Sequence, residues 1–168
     1  MEPDRRAVPD ASGGNNAERH LLIAGYWTDI DESIRGWLMP SDSRSILSLH
    51  YYTPSGFCID GRPTTWGSAT EVATLLDQFA KVKTNFLDRG IPAILGEYGA
   101  ITTTQASSRI YWIEYVTKTA YDHGIAPHIW DPGGTGRLLN RRTLTWPAGL
   151  LDALHRASSG QDYTIIEG

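Results

Sequence analysis

The sequence has little cysteine, little net charge and no long hydrophobic run, and each shortage excludes a class of protein. Cys58 is the only cysteine among 168 residues, which excludes an internal disulfide framework and matches no metal-site spacing. The net charge of −4 comes without any basic stripe, so we expect no nucleic-acid partner. No segment approaches the roughly 18 consecutive apolar residues of a membrane span, so we expect no membrane partner either.

Signals for metal binding and for export are also missing. The five histidines show no ligand spacing, and we therefore expect no metal and no cofactor. The first residues, Met1 to Arg6, contain no apolar segment of the kind found in signal peptides. The sequence therefore leaves the localisation undetermined.

What the chain does contain is the composition and rhythm of a folded α/β domain. It is 40% hydrophobic, with six Trp and eight Tyr, which is enough for one domain with a core. Short apolar runs alternate with longer segments of helical periodicity, a pattern typical of βα units on a parallel sheet. We predict four such units, with strands at residues 20–24, 46–51, 91–96 and 125–130.

Helical signals follow each predicted strand. The clearest helix begins after Ser68, which forms a capping box with Glu71, and apolar residues recur at helical spacing before Gly90 ends it. Further helices are predicted at residues 31–38, at 105–123 and from Pro147, which suits a first helical position. The closing segment 163–166 could add a strand or remain a frayed tail.

The third predicted strand delivers one carboxylate, Glu97, to a turn between Gly96 and Gly99. A carboxylate has no packing reason to lie at the tip of a buried strand, so a catalytic role is the favoured interpretation. A capping or salt-bridged carboxylate is the alternative. Functional residues of βα folds gather at the carboxyl ends of strands, where the sequence also places Trp27, His50, Tyr52, Trp130 and Asp131.

Several segments together resemble glycoside hydrolase family 5, the cellulase-like retaining β-glycanases built on (β/α)8 barrels. They are Gly13-Gly14-Asn15-Asn16-Ala17-Glu18-Arg19-His20, Gly25-Tyr26, His50-Tyr51-Tyr52, Leu95-Gly96-Glu97-Tyr98-Gly99 and Ile129-Trp130-Asp131. The resemblance covers residues 12–157 and implies a half TIM barrel, strands five to eight of the eight. A complete barrel needs roughly 250 residues. We therefore expect a single truncated domain over 1–168, with tails at 1–11 and 158–168.

The resemblance also implies a role for each site residue. Glu97 would be the nucleophile, Tyr52 the tyrosine that hydrogen-bonds it, and His50 the histidine beside the substrate. Trp130 would be the aromatic platform under the sugar next to the cleavage point, with Trp27 and Asp131 as further substrate-binding candidates. A core imidazole at His50, and core packing for each tryptophan, remain the alternatives.

The acid/base of a retaining glycosidase has no clear counterpart. The resemblance places it in an Asn-Glu-Pro motif on barrel strand four, and the most similar segment here is Met1-Glu2-Pro3. The residues between Pro3 and Gly13 are too few for the helix expected there, so Glu2 is a weak candidate. The arginine typical of barrel strand three has no counterpart either. Either the acid/base is absent or it is supplied in an unusual way.

Half a barrel would expose two sheet edges and the inner face of the sheet. A C2 homodimer would close one eight-stranded barrel from two copies, and we expect a homodimer for this reason. It would bring Asp131 of the partner copy near the position that the missing acid/base would occupy. It would also place two copies of Glu97 opposite each other at the mouth of the barrel. One of two close glutamates could then stay protonated.

The leading hypothesis is a truncated endo-β-1,4-glucanase that hydrolyses β-linked glucan with retention. The alternative is a lapsed half-barrel that binds glycan through Trp27, Trp66 and Trp130, or has only weak promiscuous hydrolase or esterase activity. No Gly-x-Ser-x-Gly motif occurs, which argues against a typical esterase. Proteins that resemble this one are usually secreted.

Overall fold

The computed structural model describes residues 19–36 and 44–167. Its strands are β1 (Leu21–Ala24), β2 (Ser45–Tyr51), β3 (Ala93–Tyr98) and β4 (Ala126–Ile129). Its α-helices are α1 (Ile30–Gly36), α2 (Ala69–Asn85), α3 (Ala106–Asp122) and α4 (Leu150–Ala157). Short helical turns add Tyr26–Thr28, Gly56–Asp60, Leu87–Arg89 and Gly134–Gly136.

The four strands form one parallel sheet in the order β1-β2-β3-β4, so neighbours in the chain are neighbours in the sheet. A helix follows each strand. Sequential parallel βα units of this kind are the construction of a TIM barrel. The prediction of half a TIM barrel is therefore confirmed.

The helices cover one face of this sheet. Along β2 the buried residues alternate with partly exposed ones, and the buried set packs under α2 and α3 because successive side chains of a strand point to opposite faces. Aromatic rings fill the centre of this layer: Tyr51 stacks on Trp112 with centroids 6.1 Å apart and meets the edge of Phe79 at 5.3 Å.

The other face, which would line the interior of a complete barrel, is open. Leu22 is 60% exposed, Ala24, Ala126 and His128 are exposed as well, and β1 and β4 lie at the two edges. Pro127 fits an edge strand because it lacks the N–H that a central strand needs. The half-barrel thus has a core on one side of its sheet only.

Most predicted helix signals are found where the sequence puts them. Ser68 and Glu71 form the capping box: the Ser68 hydroxyl accepts from the Glu71 N–H, and Glu71 Oε2 accepts from the Ser68 N–H at 2.9 Å. Gly90, with φ of 76°, ends the short turn after α2. The first helix begins at Ile30, one residue before its predicted start, and residues 37–38 lie outside the described residues.

Two predictions near the end of the chain need correction. Pro147 does not open the last helix, since Gly149 has a left-handed φ of 81° that an α-helix cannot include, and α4 begins at Leu150. The closing segment forms neither a strand nor a frayed tail. It lies against α3, where the Tyr163 hydroxyl donates to the buried Glu114 at 2.8 Å and Lys118 lies 5.0 Å from the Tyr163 ring centre.

No helix in the described ranges is both long and apolar enough to cross a membrane. Over the same residues, no three His, Cys, Asp or Glu side chains gather in a way that could hold a metal ion.

Candidate active site

A slip in the β2–β3 pairing decides where Glu97 points. Leu49 pairs with Leu95, but the next residue, His50, pairs with Glu97, so Gly96 is an extra residue in β3. Side chains of a strand alternate between faces, and without a bulge Glu97 would share the helix-covered face with Leu95. The extra residue instead turns Glu97 to the open face, opposite His50.

Two side chains at the end of β2 lie against the Glu97 carboxylate: His50, within the strand, and Tyr52, which follows it. The Tyr52 hydroxyl donates to Oε2 at 3.1 Å, and His50 Nδ1 lies 3.4 Å from the same oxygen. Burial raises the pKa of Tyr52, and the hydrogen bond to Glu97 and its charge raise it further. The phenol therefore stays protonated as a donor. The structure thus brings together the three residues that the sequence singled out for catalysis.

Gly96 has no side chain because Ser48 and His50 occupy the space. A Cβ at position 96 would lie 3.1 Å from Ser48 Oγ and 3.6 Å from His50 Nε2. The first distance is closer than ordinary contact, so Ser48 would have to give way beside His50. The glycine therefore leaves room for Ser48 and for the imidazole of His50.

Trp130 directly follows β4, and its N–H donates to the Tyr98 carbonyl at 2.9 Å. The ring is 47% exposed and lines a cavity of about 180 Å³ together with Tyr52 and Cys58. Trp130 and Tyr52 therefore line the same cavity, and part of the Trp130 ring is free to contact a ligand.

The other two tryptophans predicted to bind sugar, Trp27 and Trp66, differ in exposure. Trp27 is 79% exposed in the turn after β1 and lines a separate cavity that His50 and Tyr52 also reach. Trp66, in contrast, is only 3% exposed, and its ring packs against Tyr111 and Tyr115 with ring centres 5.6 Å from each. The suggestion that Trp66 holds sugar is therefore wrong, because its ring is buried inside the protein.

Asp131 has its carboxylate committed to the loop after β4. It accepts from the N–H groups of Gly133 at 2.8 Å and Leu139 at 3.1 Å, and Arg141 Nη1 lies 3.1 Å away. Desolvation alone would raise the pKa of Asp131, but these donors outweigh it and lower the pKa to about 2. Asp131 therefore stays ionised near neutral pH, which makes it a poor proton donor. Its contact with a sugar stays a prediction.

Arg109, which the sequence analysis missed, joins the two loops that flank the site. This buried residue of α3 donates to the carbonyls of Ala100 at 2.6 Å, Gly136 at 3.3 Å and Arg137 at 3.0 Å. Burial lowers its pKa, and the nearby charge of Asp131 opposes that shift. The only signal in the sequence is a charge within an amphipathic helix, which more often lies on the solvent face.

Two expected pieces of the site fall outside the described residues: Glu2, and residues 13–18 of the segment that runs from Gly13 to His20. Within residues 19–36 and 44–167, the side chains that contact the Glu97 carboxylate are Tyr52 and His50. Neither is a second carboxyl group, so these contacts supply a candidate nucleophile, one hydrogen-bond donor from Tyr52 and a neighbouring imidazole from His50.

Comparisons with known proteins show the family to which the chain belongs. The model of the cellulase family, glycosyl hydrolase family 5, matches residues 11–135. Cellulase/esterase CelE of Acetivibrio thermocellus is 36% identical over 146 residues, covering 81% of this chain. Endoglucanase B of Clostridium cellulovorans is 35% identical over 149 residues, again covering 81%. The structure of a broad-specificity endoglucanase from Bacteroides salanitronis superposes with a TM-score of 0.79 at 32% identity over 93% of this chain.

The matches cover only part of each relative. The chain spans 18% of CelE, 34% of endoglucanase B and 48% of the Bacteroides salanitronis chain. It therefore corresponds to a fragment of the family's catalytic domain.

We predict that Gly96→Ala disturbs the site more than Gly99→Ala does. A Cβ at position 99 would lie 3.4 Å from the Trp130 carbonyl oxygen, an ordinary contact. The closer contact at position 96 should shift the NMR signals of the His50 ring and lower the free energy of unfolding by about 1–3 kcal/mol. Equal effects of the two substitutions on both measurements would contradict the role given to Gly96.

Proposed function

Since the chain belongs to glycosyl hydrolase family 5, we propose that it is a glycosidase of the endo-β-1,4-glucanase type that acts on β-linked glucan. The observation that carries the proposal is the Glu97 carboxylate, held by Tyr52 and His50 at the carboxyl end of the sheet. Solved relatives that superpose on this chain include a broad-specificity endoglucanase from Ruminococcus champanellensis with bound cellotriose. A cello-oligosaccharide is therefore the natural first ligand to test.

In the proposed reaction Glu97 is the nucleophile. Its carboxylate oxygen forms a bond to the anomeric carbon as the bond from that carbon to the leaving oxygen breaks, which produces a covalent glycosyl-enzyme. Water then adds to the same carbon and releases Glu97. Two displacements at one carbon return the original configuration, so the reaction proceeds with retention.

The contacts of Glu97 suggest which of its oxygens attacks. Tyr52 and His50 both lie against Oε2, which leaves Oε1 to meet the anomeric carbon. Tyr52 and His50, with the glycine beside His50, thereby fix the direction of the carboxyl group.

The proton for the leaving oxygen must come from another group. Asp131 of a partner copy is a poor source because its loop holds the pKa near 2. Glu2 and the partner's Glu97 remain weak candidates. A leaving group that departs as a stable anion, such as nitrophenolate, does not need this proton, so we expect aryl glycosides to react better than glucan.

The alternative function is glycan binding by a catalytically lapsed half-barrel, with at most weak hydrolase or esterase activity. The open inner face of the sheet favours this alternative, because a water-exposed site strengthens electrostatic catalysis less than an enclosed one. The intact contacts around Glu97 favour catalysis.

We further propose that two copies close one barrel. The strands β1 and β4 have four residues each and lie at opposite edges of the sheet. A two-fold axis along the barrel would pair β4 of one copy with β1 of the other in parallel. The same closure would bury Leu22, Ala24 and Ala126, which are exposed on the inner face.

If two copies close one barrel, the protein should be a dimer, and a charge introduced on the inner face of the sheet should disrupt that dimer. Light scattering at micromolar concentration should give twice the chain mass, and Leu22→Glu should give the monomer because it would bury an unpaired carboxylate. Ile166→Glu, at a position that is 80% exposed on the tail, should stay dimeric. A monomeric parent chain would rule closure out.

For the nucleophile, we predict that Glu97→Gln lowers nitrophenol release from an aryl β-cellobioside by more than about 10³-fold. The amide keeps the shape of the side chain but is not a nucleophile. Glu32→Gln, which changes a surface carboxylate of α1 in the same way, should retain the parent rate.

Equal rates for the parent chain and Glu97→Gln would refute the assignment of Glu97. No release by either protein would favour the binding alternative.

A further inference from the structure

The cavity beside Trp130, which we call the Trp130 cavity, is lined mainly by the loops that follow β3 and β4. The β3–α3 loop supplies Ala100 and Ile101, and the β4–α4 loop supplies Trp130, Thr135 and Gly136. Neither loop belongs to the sheet, so the sheet alone does not set the distance between them. The shape of the cavity therefore depends on the contacts that join these two loops.

Arg109, on α3, joins the two loops with a single guanidinium group. Its Nε donates to the Ala100 carbonyl of the first loop, and its Nη2 donates to the Gly136 and Arg137 carbonyls of the second. Ala100 and Gly136 both line the Trp130 cavity. Arg109 thus holds each loop at a residue that forms the wall of this cavity.

A guanidinium is an unfavourable group for such a buried position. Arg109 is 5% exposed, and within the described ranges its hydrogen bonds all go to carbonyl oxygens rather than to a carboxylate. Burial of an ion that is not bonded to an opposite charge opposes folding. An apolar side chain would pack beneath the loops without this penalty, but it could not donate to either loop. The position of the loops therefore accounts for the arginine better than the packing of α3 does.

The β4–α4 loop connects the arginine to Trp130. Asp131, which directly follows Trp130, accepts from the N–H groups of Gly133 and Leu139. These bonds close the intervening segment on itself, and the two carbonyls that Arg109 holds in this loop lie inside that segment. A displacement of the segment would therefore move the backbone that carries the Trp130 ring.

Two sets of contacts limit what the loss of Arg109 would change. The Thr102 N–H donates to the Thr135 carbonyl at 2.7 Å, which joins the same two loops at another point. The Glu97 carboxylate is held by Tyr52 and His50 rather than by Arg109. Loss of the guanidinium should therefore displace Trp130 without detaching its loop and without releasing the candidate nucleophile.

We infer that Arg109 is a positioning residue that sets the Trp130 ring relative to Glu97. The inference rests on the proposed function and adds to it a buried side chain that acts only through backbone carbonyls. A tryptophan that holds the sugar equally well before and during the reaction contributes to KM but not to kcat. Loss of Arg109 should therefore raise KM and leave kcat near its parent value.

The first test follows the Trp130 ring directly. The full chain is labelled with 5-fluorotryptophan, and Trp130→Phe identifies the fluorine NMR signal of Trp130 among those of the six tryptophans. Arg109→Met removes the donors but keeps a long side chain, and Arg109→Lys keeps the charge but lacks the planar fork that reaches both loops. Both variants should shift or broaden the Trp130 signal, and the signal of Trp27, in the turn after β1, should not change.

Glu114→Gln is the matched control. Glu114 is another buried, charged residue of α3, but its carboxylate accepts from Arg156 and Tyr163 instead of holding the site loops. This substitution should lower Tm as the Arg109 variants do, because it also disturbs a buried charge and its partners. It should leave the Trp130 signal and the kinetics of the parent chain unchanged, which separates positioning from a general loss of stability.

Kinetics with an aryl β-cellobioside give the second readout. Each Arg109 variant should raise KM by roughly three- to tenfold and keep kcat within about twofold of the parent value, since binding before and during the reaction weakens together. A fall in kcat with KM unchanged would contradict the inference, because it would place the effect on Glu97 instead of Trp130.

The fluorine signal keeps the inference distinct from the proposed function. A Trp130 signal that stays at its parent position in Arg109→Lys, which retains the buried charge, and in Arg109→Met would overturn the inference. An equal shift in Glu114→Gln would also overturn it. A parent chain without activity, combined with the expected signal changes in the Arg109 variants, would count against the proposed glucanase and support the positioning role.

Discussion

The pairing slip at Gly96 is the constraint on which the candidate site depends. One extra residue in β3 turns Glu97 to the open face while the next residue, Tyr98, stays buried with its hydroxyl 2.7 Å from Thr117 on α3. A regular strand could not bury both Leu95 and Tyr98, which lie three residues apart, on the same helix-covered face. The bulge thus lets a continuous core strand carry a charged group on its other face.

The site is rigid on one side and open on the other. Below it, the strands are anchored by aromatic rings and by Trp112, whose indole N–H donates to the Thr53 carbonyl at 3.1 Å. Arg109 and Asp131 order the loops around it through backbone groups. Above it, the inner face of the sheet meets solvent. The chain therefore fixes the direction of the Glu97 carboxylate on a face that, among the described residues, is open to solvent.

Local signals predicted much of this arrangement. The capping box at Ser68 and the alternation of apolar runs depend on neighbouring residues, so the sequence shows them directly. The predicted ends of the strands identified Glu97, His50 and Tyr52 as site residues, because strand ends can also be recognised from neighbouring residues. The bulge and the buried Arg109 depend on contacts between separate segments of the chain, which no local pattern encodes. The prediction that Pro147 begins the last helix was wrong because Gly149 has a left-handed φ, which an α-helix cannot include. The preference of proline for a first helical position is weaker than this constraint.

The central claim is that Glu97 attacks an anomeric carbon, and covalent trapping tests it most directly. The chain would be incubated with 2-deoxy-2-fluoro-β-cellobiosyl fluoride, whose fluoride leaves without a proton donor and whose C2 fluorine slows release of the intermediate. Peptide mass spectrometry should find one glycosyl adduct on Glu97, with fluoride released, and none in Glu97→Gln. An unmodified chain, or an adduct on another residue, would contradict the account.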